Sequence, residues 1–403
     1  MGKIELDHTG SGSGVTISSD GTDLLLDGTA IGGGGGTALE LYAENPSSPT
    51  APSATGNNAF AIGSGANAIG QNGIALGNGT SADGANGIAL GFVSDANGSG
   101  SVAIGFNADA NGGGSVAIGQ QPDADANFSV AIGASSAGNG AKTITGAGAV
   151  ALGGSRASGT DSFAAAIANS TSSYGASYAN AIAMGKQAKS AGTGAIAIGR
   201  NAQASATGAM SFCSSYANYG NVSSGSNSVT MGDGNLASAT SSMATGYGSK
   251  ADIEGKCVHA NGSFSDGNAE GSAQRGAFVL RCDTTDATSE ALRTSNGAAS
   301  TTNQIILPNN SAFAFSGTIV ARQQASTGTA SAAWKIEGLI RREGSAGTTV
   351  LVNSATTVLD NTPAWGMALT ADTTSGGLAI TVTGAASTNI RWVSTINTSE
   401  VTY

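Results

Sequence analysis

Two pairs of carboxylates have the spacing for acid–base chemistry. Asp123 and Asp125 are two residues apart, as are Asp252 and Glu254, so in an extended strand each pair projects from one face. Two carboxyl groups flanking a glycosidic bond carry out polysaccharide hydrolysis. Neither pair lies beside a cluster of aromatic residues in the sequence, and a solvated polar face produces the same spacing. We interpret both pairs as solvated surface and predict no enzymatic activity, with depolymerisation as the alternative.

Histidines, cysteines and glycine motifs offer little further chemistry. His8 and His259 are the only histidines, and His259 would form a metal site only if a threefold axis gathered three copies of it. Cys213, Cys257 and Cys282 are odd in number and lack C-x-x-C spacing, so we predict buried free thiols. The G-x-G-x-x-G matches reflect abundant glycine, and none is followed by G-K-[ST]. We predict no metal, no nucleotide and no other cofactor.

Aromatic and basic side chains are the better candidates for binding. Aromatic rings stack on sugar faces while their polar atoms bond hydroxyl groups. All tryptophans follow residue 275, and Trp365, in the sequence N-T-P-A-W-G, is the ring that we expect to be exposed. Trp334 alternates with Ile336 in a predicted strand, which favours a core position. Arg341 and Arg342 follow that strand and are candidates to face an anionic glycan, with a solvated strand end as the alternative.

A fourteen-residue repeat must position much of the chain. The copy from Phe106 to Gly119 reads F-N-A-D-A-N-G-G-G-S-V-A-I-G, and its Val116 and Ile118 share one face of an extended strand. Each copy holds two short strands and two glycine turns, which predicts a solenoid of parallel strands. Other copies close at Gly77, Gly91, Gly105, Gly133, Gly153, Gly185, Gly199, Gly232 and Gly246, with degenerate copies ending at Ala168, Cys213 and Ala260.

So thin a coil is not expected to be stable alone. Strands faced with alanine leave room for only a narrow seam of Val and Ile, which buries too little apolar surface to offset the entropy of ordering the chain. The apolar face left outside is then expected to pack against identical chains. The sequence therefore predicts an oligomer.

The pattern G-x-x-A-x-A-x-G-x-x-S-V-A-I-G resembles the head repeat of trimeric autotransporter adhesins of the YadA type. It matches best from Gly105 to Gly119 and recognisably from Asn57 to Asn261. The resemblance implies a homotrimeric, left-handed parallel β-roll. We expect local irregularity where the closing glycine is lost, at Phe163 to Ala168, Met210 to Cys213 and Val258 to Ala260.

The flanks resemble parts of tail fibres of marine tailed phages. The similar segments are G-K-I-E-L-D-H-T-G-S-G-S-G near the start, Asn303 to Arg322, and A-A-W-K-I-E-G-L-I-R-R. The resemblance implies a cyanophage-like tail fibre, assembled in the host cytoplasm and carried on the virion. Its residues 1–36 would dock on a tail or baseplate protein, and its receptor would be a host glycan or lipopolysaccharide. A structural fibre or decoration protein and a bacterial trimeric adhesin remain alternatives.

Charge and hydropathy limit the partners. The net charge is −10, and residues 1–50 carry one Lys against seven Asp or Glu, so no basic surface for nucleic acid is expected. We recognise no signal segment, heptad stalk or membrane-spanning stretch, so neither self-secretion nor membrane insertion is expected.

The composition predicts three parts in an all-β chain. Residues 1–50 form an attachment segment that includes the glycine-rich hinge at 32–36, residues 51–275 form the roll, and residues 276–403 form a β-sandwich or jelly-roll tip. The tip is the expected receptor-binding domain.

The fourteen-residue spacing breaks three times, after Gly133, Ala168 and Cys213. Extra residues in a solenoid protrude as loops, where binding residues are commonly found. Four tyrosines fall in two of these breaks and are candidate receptor contacts, the alternative being that they fill gaps in a thin core: Tyr174, Tyr178, Tyr216 and Tyr219.

Overall fold

The computed structural model describes residues 4–6, 15–19, 24–26, 29–30, 39–41, 50–133, 140–168, 172–213, 220–264, 270–324, 330–361 and 363–403. Two compact units make up the chain, Met1–Ala134 and Ser135–Tyr403. Before residue 50 only strand backbone is described. Four of these strands form an antiparallel sheet, and Leu39–Leu41 pairs in parallel with Phe60–Ile62; the four are Ile4–Leu6, Val15–Ser19, Leu24–Leu26 and Thr29–Ala30.

The first unit contains a parallel β-solenoid whose coils have fourteen residues. Ala89 pairs with Ala103 and Ala103 with Ala117, one repeat apart each time. Its short strands are Ser53–Ala54, Asn67–Ala68, Ser81–Ala82, Asp95–Ala96, Asp109–Ala110 and Asp123–Ala124. Its long strands are Phe60–Ile62, Ile74–Asn78, Ile88–Phe92, Val102–Phe106, Val116–Gln120 and Val130–Ile132.

The second unit contains coils of the same kind. Phe163 pairs with Ile182 and Met210 with Val229, so the extra residues between them leave the parallel ladder intact. Its short strands are Lys142–Thr143, Arg156–Ala157, Gly175–Ala176, Lys189–Ser190, Gln203–Ala204, Val222–Ser223, Leu236–Ala237 and Lys250–Ala251. Its long strands are Val150–Leu152, Phe163–Ala165, Ile182–Met184, Ile196–Ile198, Met210–Cys213, Val229–Asp233, Met243–Tyr247 and Cys257–Asn261.

Alanine and serine fill the interior of the coils. The central alanines of the long strands, such as Ala89 and Ala103, are 0% exposed, and so is Ser115. Ile88 and Leu90, on either side of Ala89, are 37% and 38% exposed. The prediction that Val and Ile form a seam inside the coil is therefore wrong. A coil this narrow admits methyl and hydroxyl groups, and the larger side chains take the outward positions of the strand.

The closing glycines are required by backbone conformation and by close approach. Gly91 has a φ of +140°, and a Cβ atom there would overlap the carbonyl oxygen of Gly105 in the next coil. An L side chain is disfavoured at that φ, and no side chain has room there.

The expected irregularity is found at one of the three degenerate copies. Val150 pairs with Phe163, thirteen residues away instead of fourteen, and Ala166 and Ala168 adopt positive φ. At the other two copies the ladder keeps its register, since Cys213 pairs with Gly232 and Gly246 with Ala260.

A two-sheet β-sandwich follows the coils, which confirms the predicted C-terminal sandwich. In the large sheet the order is Ala273–Thr284, Ile390–Thr402, Ser311–Gln323, Ser331–Arg342 and Val350–Asp360, all antiparallel. In the small sheet Gly377–Thr383 pairs with Gly366–Asp372, Ser289–Ala291 and Ile305–Ile306. Among the described residues the one helical segment is the 3-10 turn Ala346–Thr348.

The sandwich is joined to the last coil by backbone pairing. Cys257 in the last coil lies opposite Ala277 of the large sheet, in an antiparallel arrangement. Between the two sheets is an apolar core that includes Phe313, Trp334 and Trp392. The sandwich thus covers the end of the solenoid in the second unit, where an open coil would expose unpaired backbone groups.

Candidate binding surfaces

Trp365 is buried, so the prediction of an exposed ring is wrong. Its side chain is 5% exposed, and its ring centroid lies 5.8 Å from that of Trp392. Asn361 fixes the loop, because its Oδ1 accepts from the Trp365 N–H at 2.9 Å and its Nδ2 donates to the Trp365 carbonyl at 2.8 Å. Trp334, predicted in a core, is 3% exposed and stacks on Trp392 at 5.7 Å.

Arg341 and Arg342 have different surroundings. The Arg341 side chain is 55% exposed and lies 3.7 Å from Glu343. Arg342 Nη1 donates to the Leu307 carbonyl at 2.7 Å, which ties the large sheet to the segment before Ser311. Arg341 is therefore available to a ligand, whereas Arg342 has a structural contact.

One of the four predicted tyrosines presents an exposed ring in the described segments. Tyr178 is 52% exposed, and its carbonyl accepts from the Ala181 N–H at 3.1 Å in a turn. Tyr174 is half-buried. Tyr216 and Tyr219 lie outside the described residues.

The predicted carboxylate pairs have ordinary surface contacts. Asp125 accepts from Asn111 Nδ2 at 2.7 Å, and Asp252 lies 3.6 Å from Lys250. His259 Nδ1 lies 3.1 Å from Thr245 Oγ1 on an exposed surface. Across the parts of the chain that the structure covers, no three His, Cys, Asp or Glu side chains gather as a metal site.

The prediction of buried thiols holds for two cysteines and fails for the third. Cys213 and Cys282 are buried, whereas Cys257 is exposed. Cys257 pairs with Met243 at an outward position of the long strand, which explains its exposure.

Outward apolar side chains line up from coil to coil in the first unit. The outer row, defined as the first and third residues of the five long strands from Ile74–Asn78 to Val130–Ile132, comprises Ile74, Leu76, Ile88, Leu90, Val102, Ile104, Val116, Ile118, Val130 and Ile132. At the ends of two strands, Phe92 and Phe106 stack with centroids 5.5 Å apart and are about half exposed. Within the outer row, Ile74, Leu76, Ile88, Leu90 and Ile132 are 37–40% exposed and the other members are half-buried. A contiguous, partly exposed apolar surface of this kind marks an interaction site.

Most of the same positions are apolar in the second unit, whereas Thr245 and His259 are polar exceptions near its last coils. Met184, Ile198, Met210 and Met231 are between 37% and 49% exposed at corresponding outward sites. Each unit therefore has an outward apolar surface that is not buried in the interior of its own coils.

A pocket on the sandwich brings together three arginines that the sequence analysis did not select. It has a volume of about 460 Å3 and is lined by Arg281, Arg293 and Arg391 together with Asp283, Ser295 and Asn296. Arg391 lies 98 residues after Arg293, so no local motif connects the three arginines. Strand pairing creates the site, because Asp283 lies opposite Arg391 and the backbone of Arg281 bridges that of Arg293.

Comparison with known proteins identifies the repeat. Residues 68–94, 96–121, 179–202 and 190–211 match the YadA head domain repeat. No curated protein matches the chain. Tailspike protein gp49 of Acinetobacter baumannii bacteriophage Fri1, a capsular polysaccharide depolymerase, is similar over 71% of this chain and 47% of its own length, at 9% identity and a TM-score of 0.21. The chain thus spans less than half of that tailspike, and it contains YadA-like head repeats.

Proposed function

We propose that this protein is a phage tail fibre that attaches the virion to its host. In this proposal residues 51–275 form a homotrimeric shaft, residues 276–403 form a tip that binds a host-surface glycan, and residues 1–36 dock on a tail or baseplate protein. The observation that carries the proposal is the outer row: coils filled with alanine expose aliphatic side chains in register. The YadA head repeats support a fibre of associated chains.

What the coils bury supports association of chains, and the YadA-like repeats support three of them. Alanine and serine inside a coil provide little apolar area, and each exposed Val, Ile or Leu contributes about 1.5–3 kcal/mol when it is fully buried. Three rows meeting around an axis would supply the burial that one coil lacks. Repeated tips on one fibre would then multiply weak glycan binding through avidity.

Attachment is tested with the full-length protein and the virion. Added to host cells in advance, the protein should occupy the receptor and lower phage adsorption, and antibodies against it should label the tail. Labelling of the capsid alone, together with unchanged adsorption, would contradict the proposal and indicate a decoration protein. Glycan release during the incubation would instead indicate a depolymerase.

A bacterial trimeric adhesin is the second candidate, because the same head repeats support it. The two differ in location. Detection of the chain on purified virions supports the fibre, and detection on the surface of uninfected bacteria supports the adhesin.

A further inference from the structure

The pocket on the sandwich is electropositive in an acidic protein. Its lining has Arg281, Arg293 and Arg391 against a single carboxylate, Asp283, and Glu290 lies 3.7 Å from Arg293. Three cations thus face two anions, although the whole chain has a net charge of −10. A local positive charge attracts anionic ligands even where the net charge of the protein is negative.

Arg281 is held in place by contacts with the sandwich, and Arg293 is largely buried. Arg281 Nη1 donates to the Thr294 carbonyl at 2.9 Å, and its Nη2 donates to Asn296 Oδ1 at 3.2 Å. Both acceptors are neutral, so they orient the guanidinium without neutralising it. The Arg293 side chain is 19% exposed, and its Nε atom is buried with no hydrogen-bond partner among the described residues.

Arg391 is the arginine that can move toward a ligand. Its Nε lies 3.8 Å from Asp283 Oδ1, and the two side chains are 67% and 69% exposed. An ion pair this exposed is weak, so a ligand anion can replace it. Guanidinium groups bind carboxylate and phosphate oxygens through paired, charge-assisted hydrogen bonds.

Other lining groups favour charge recognition over stacking or covalent chemistry. Trp392 is fully buried, and its Nε1 donates to Thr284 Oγ1 at 3.0 Å, so its ring offers no face to a sugar. Burial raises the pKa of the Cys282 thiol to about 12, which keeps it protonated and unreactive at neutral pH. The volume of about 460 Å3 lies within the range of about 300–1,000 Å3 that holds small organic ligands and exceeds the need of a bare inorganic anion.

We infer that this pocket binds an acidic sugar of a surface glycan, through a carboxylate or phosphate group held by Arg281, Arg293 and Arg391. The ligand class rests on the proposed attachment function, since that function supplies the glycan. The arginine pocket itself rests on the geometry above.

The test measures binding of the full-length protein to three immobilised polymers: polygalacturonate for carboxylate, phosphomannan for phosphate and dextran as the neutral reference. Arg391→Gln should weaken binding to the preferred acidic polymer by about tenfold or more, the loss of one charge-assisted contact. Asp283→Asn should tighten it, because the competing carboxylate is removed. Lys335→Gln is the matched control: it also removes one positive charge from the large sheet, at a side chain that is 57% exposed and has a similar ion pair, with Glu337, so its binding should be unchanged.

The possible results separate this inference from the proposed function. Equal binding to dextran, no binding to either acidic polymer, or unchanged binding by Arg391→Gln would overturn the acidic-sugar site. If the protein adsorbs to host cells and Arg391→Gln adsorbs equally, attachment stands and the pocket is not its site. If the protein binds an acidic polymer through Arg391 but does not adsorb to host cells, the pocket stands and the attachment function fails.

Discussion

At the scale of single residues, a buried ion pair joins the last coil to the sandwich. Lys256 Nζ donates to Glu400 Oε2 at 2.8 Å, and the two side chains are 2% and 1% exposed. Gln274 and Thr398 donate further hydrogen bonds to the Glu400 carboxylate, both at 2.6 Å. Lys256 Nζ also lies 5.4 Å from the centroid of the Phe278 ring. The pair is therefore well satisfied, and each charge depends on the other.

Glu400→Gln should destabilise the second unit strongly. The substitution keeps the side-chain shape but leaves the Lys256 charge buried without a counter-ion, a loss of about 3–5 kcal/mol for buried pairs. We expect the thermal midpoint of this unit in calorimetry to fall by several degrees. In the double variant Lys256→Met with Glu400→Leu, both charges are gone, and part of the stability should return, although Gln274 and Thr398 lose the carboxylate that accepts their hydrogen bonds.

The matched control is Glu337→Gln. Glu337 lies 3.7 Å from Lys335, and both side chains are more than half exposed, so this change should alter stability by about 1 kcal/mol or less. An unchanged thermal midpoint in Glu400→Gln would contradict the prediction. It would show that water or a local rearrangement compensates the Lys256 charge.

At the scale of the element, the closing glycine determines how closely coils stack. Gly91→Ala should destabilise the roll by at least about 1–3 kcal/mol, the cost of an unfavourable φ, with a further cost because the new methyl group meets the Gly105 carbonyl. Gly100→Ala is the control, since Gly100 has a φ of +69° and no atom within 4 Å of an added Cβ. It should show the conformational cost alone. Chemical denaturation followed by circular dichroism measures the stability of both variants. Equal denaturation midpoints for Gly91→Ala and Gly100→Ala would contradict a contribution from the contact between neighbouring coils.

The sequence predicts some features of these elements and not others. The fourteen-residue period fixes strand register, as in the pairing of Ala89 with Ala103, because one repeat shifts a strand by one full coil. Alternation does not reveal which face is inside; the width of the coil places Ala117 inward and Val116 outward. The burial of Trp365 depends on bonds from Asn361 that no spacing rule predicts.

The arginine pocket could not be predicted from local sequence patterns, for a different reason. Arg281 and Arg391 are more than one hundred residues apart and meet only through the pairing of the first and last strands of the sandwich. Arg293 joins them through a backbone bridge to Arg281. Arg341 and Arg342, adjacent in sequence and selected from it, point to different surroundings. Long-range pairing, and not local spacing, creates the candidate site.

At the scale of the whole molecule, the outer row is predicted to hold the proposed trimer together. Leu90→Asp places a charge in that row at a side chain that is 38% exposed in the single chain. Since one coil lacks the burial to be stable alone, loss of assembly should also lower the stability of the roll. Each of three copies would lose only part of the roughly 1.5–3 kcal/mol that full burial of a Leu contributes, and would gain a desolvated carboxylate. Sedimentation should find three chains of 38.7 kDa together for the wild type and free chains for the variant. Phe128→Asp, at a 73% exposed turn position outside the row, should leave the assembly intact. A monomeric wild type, or a Leu90→Asp protein that remains trimeric, would contradict association through the outer row.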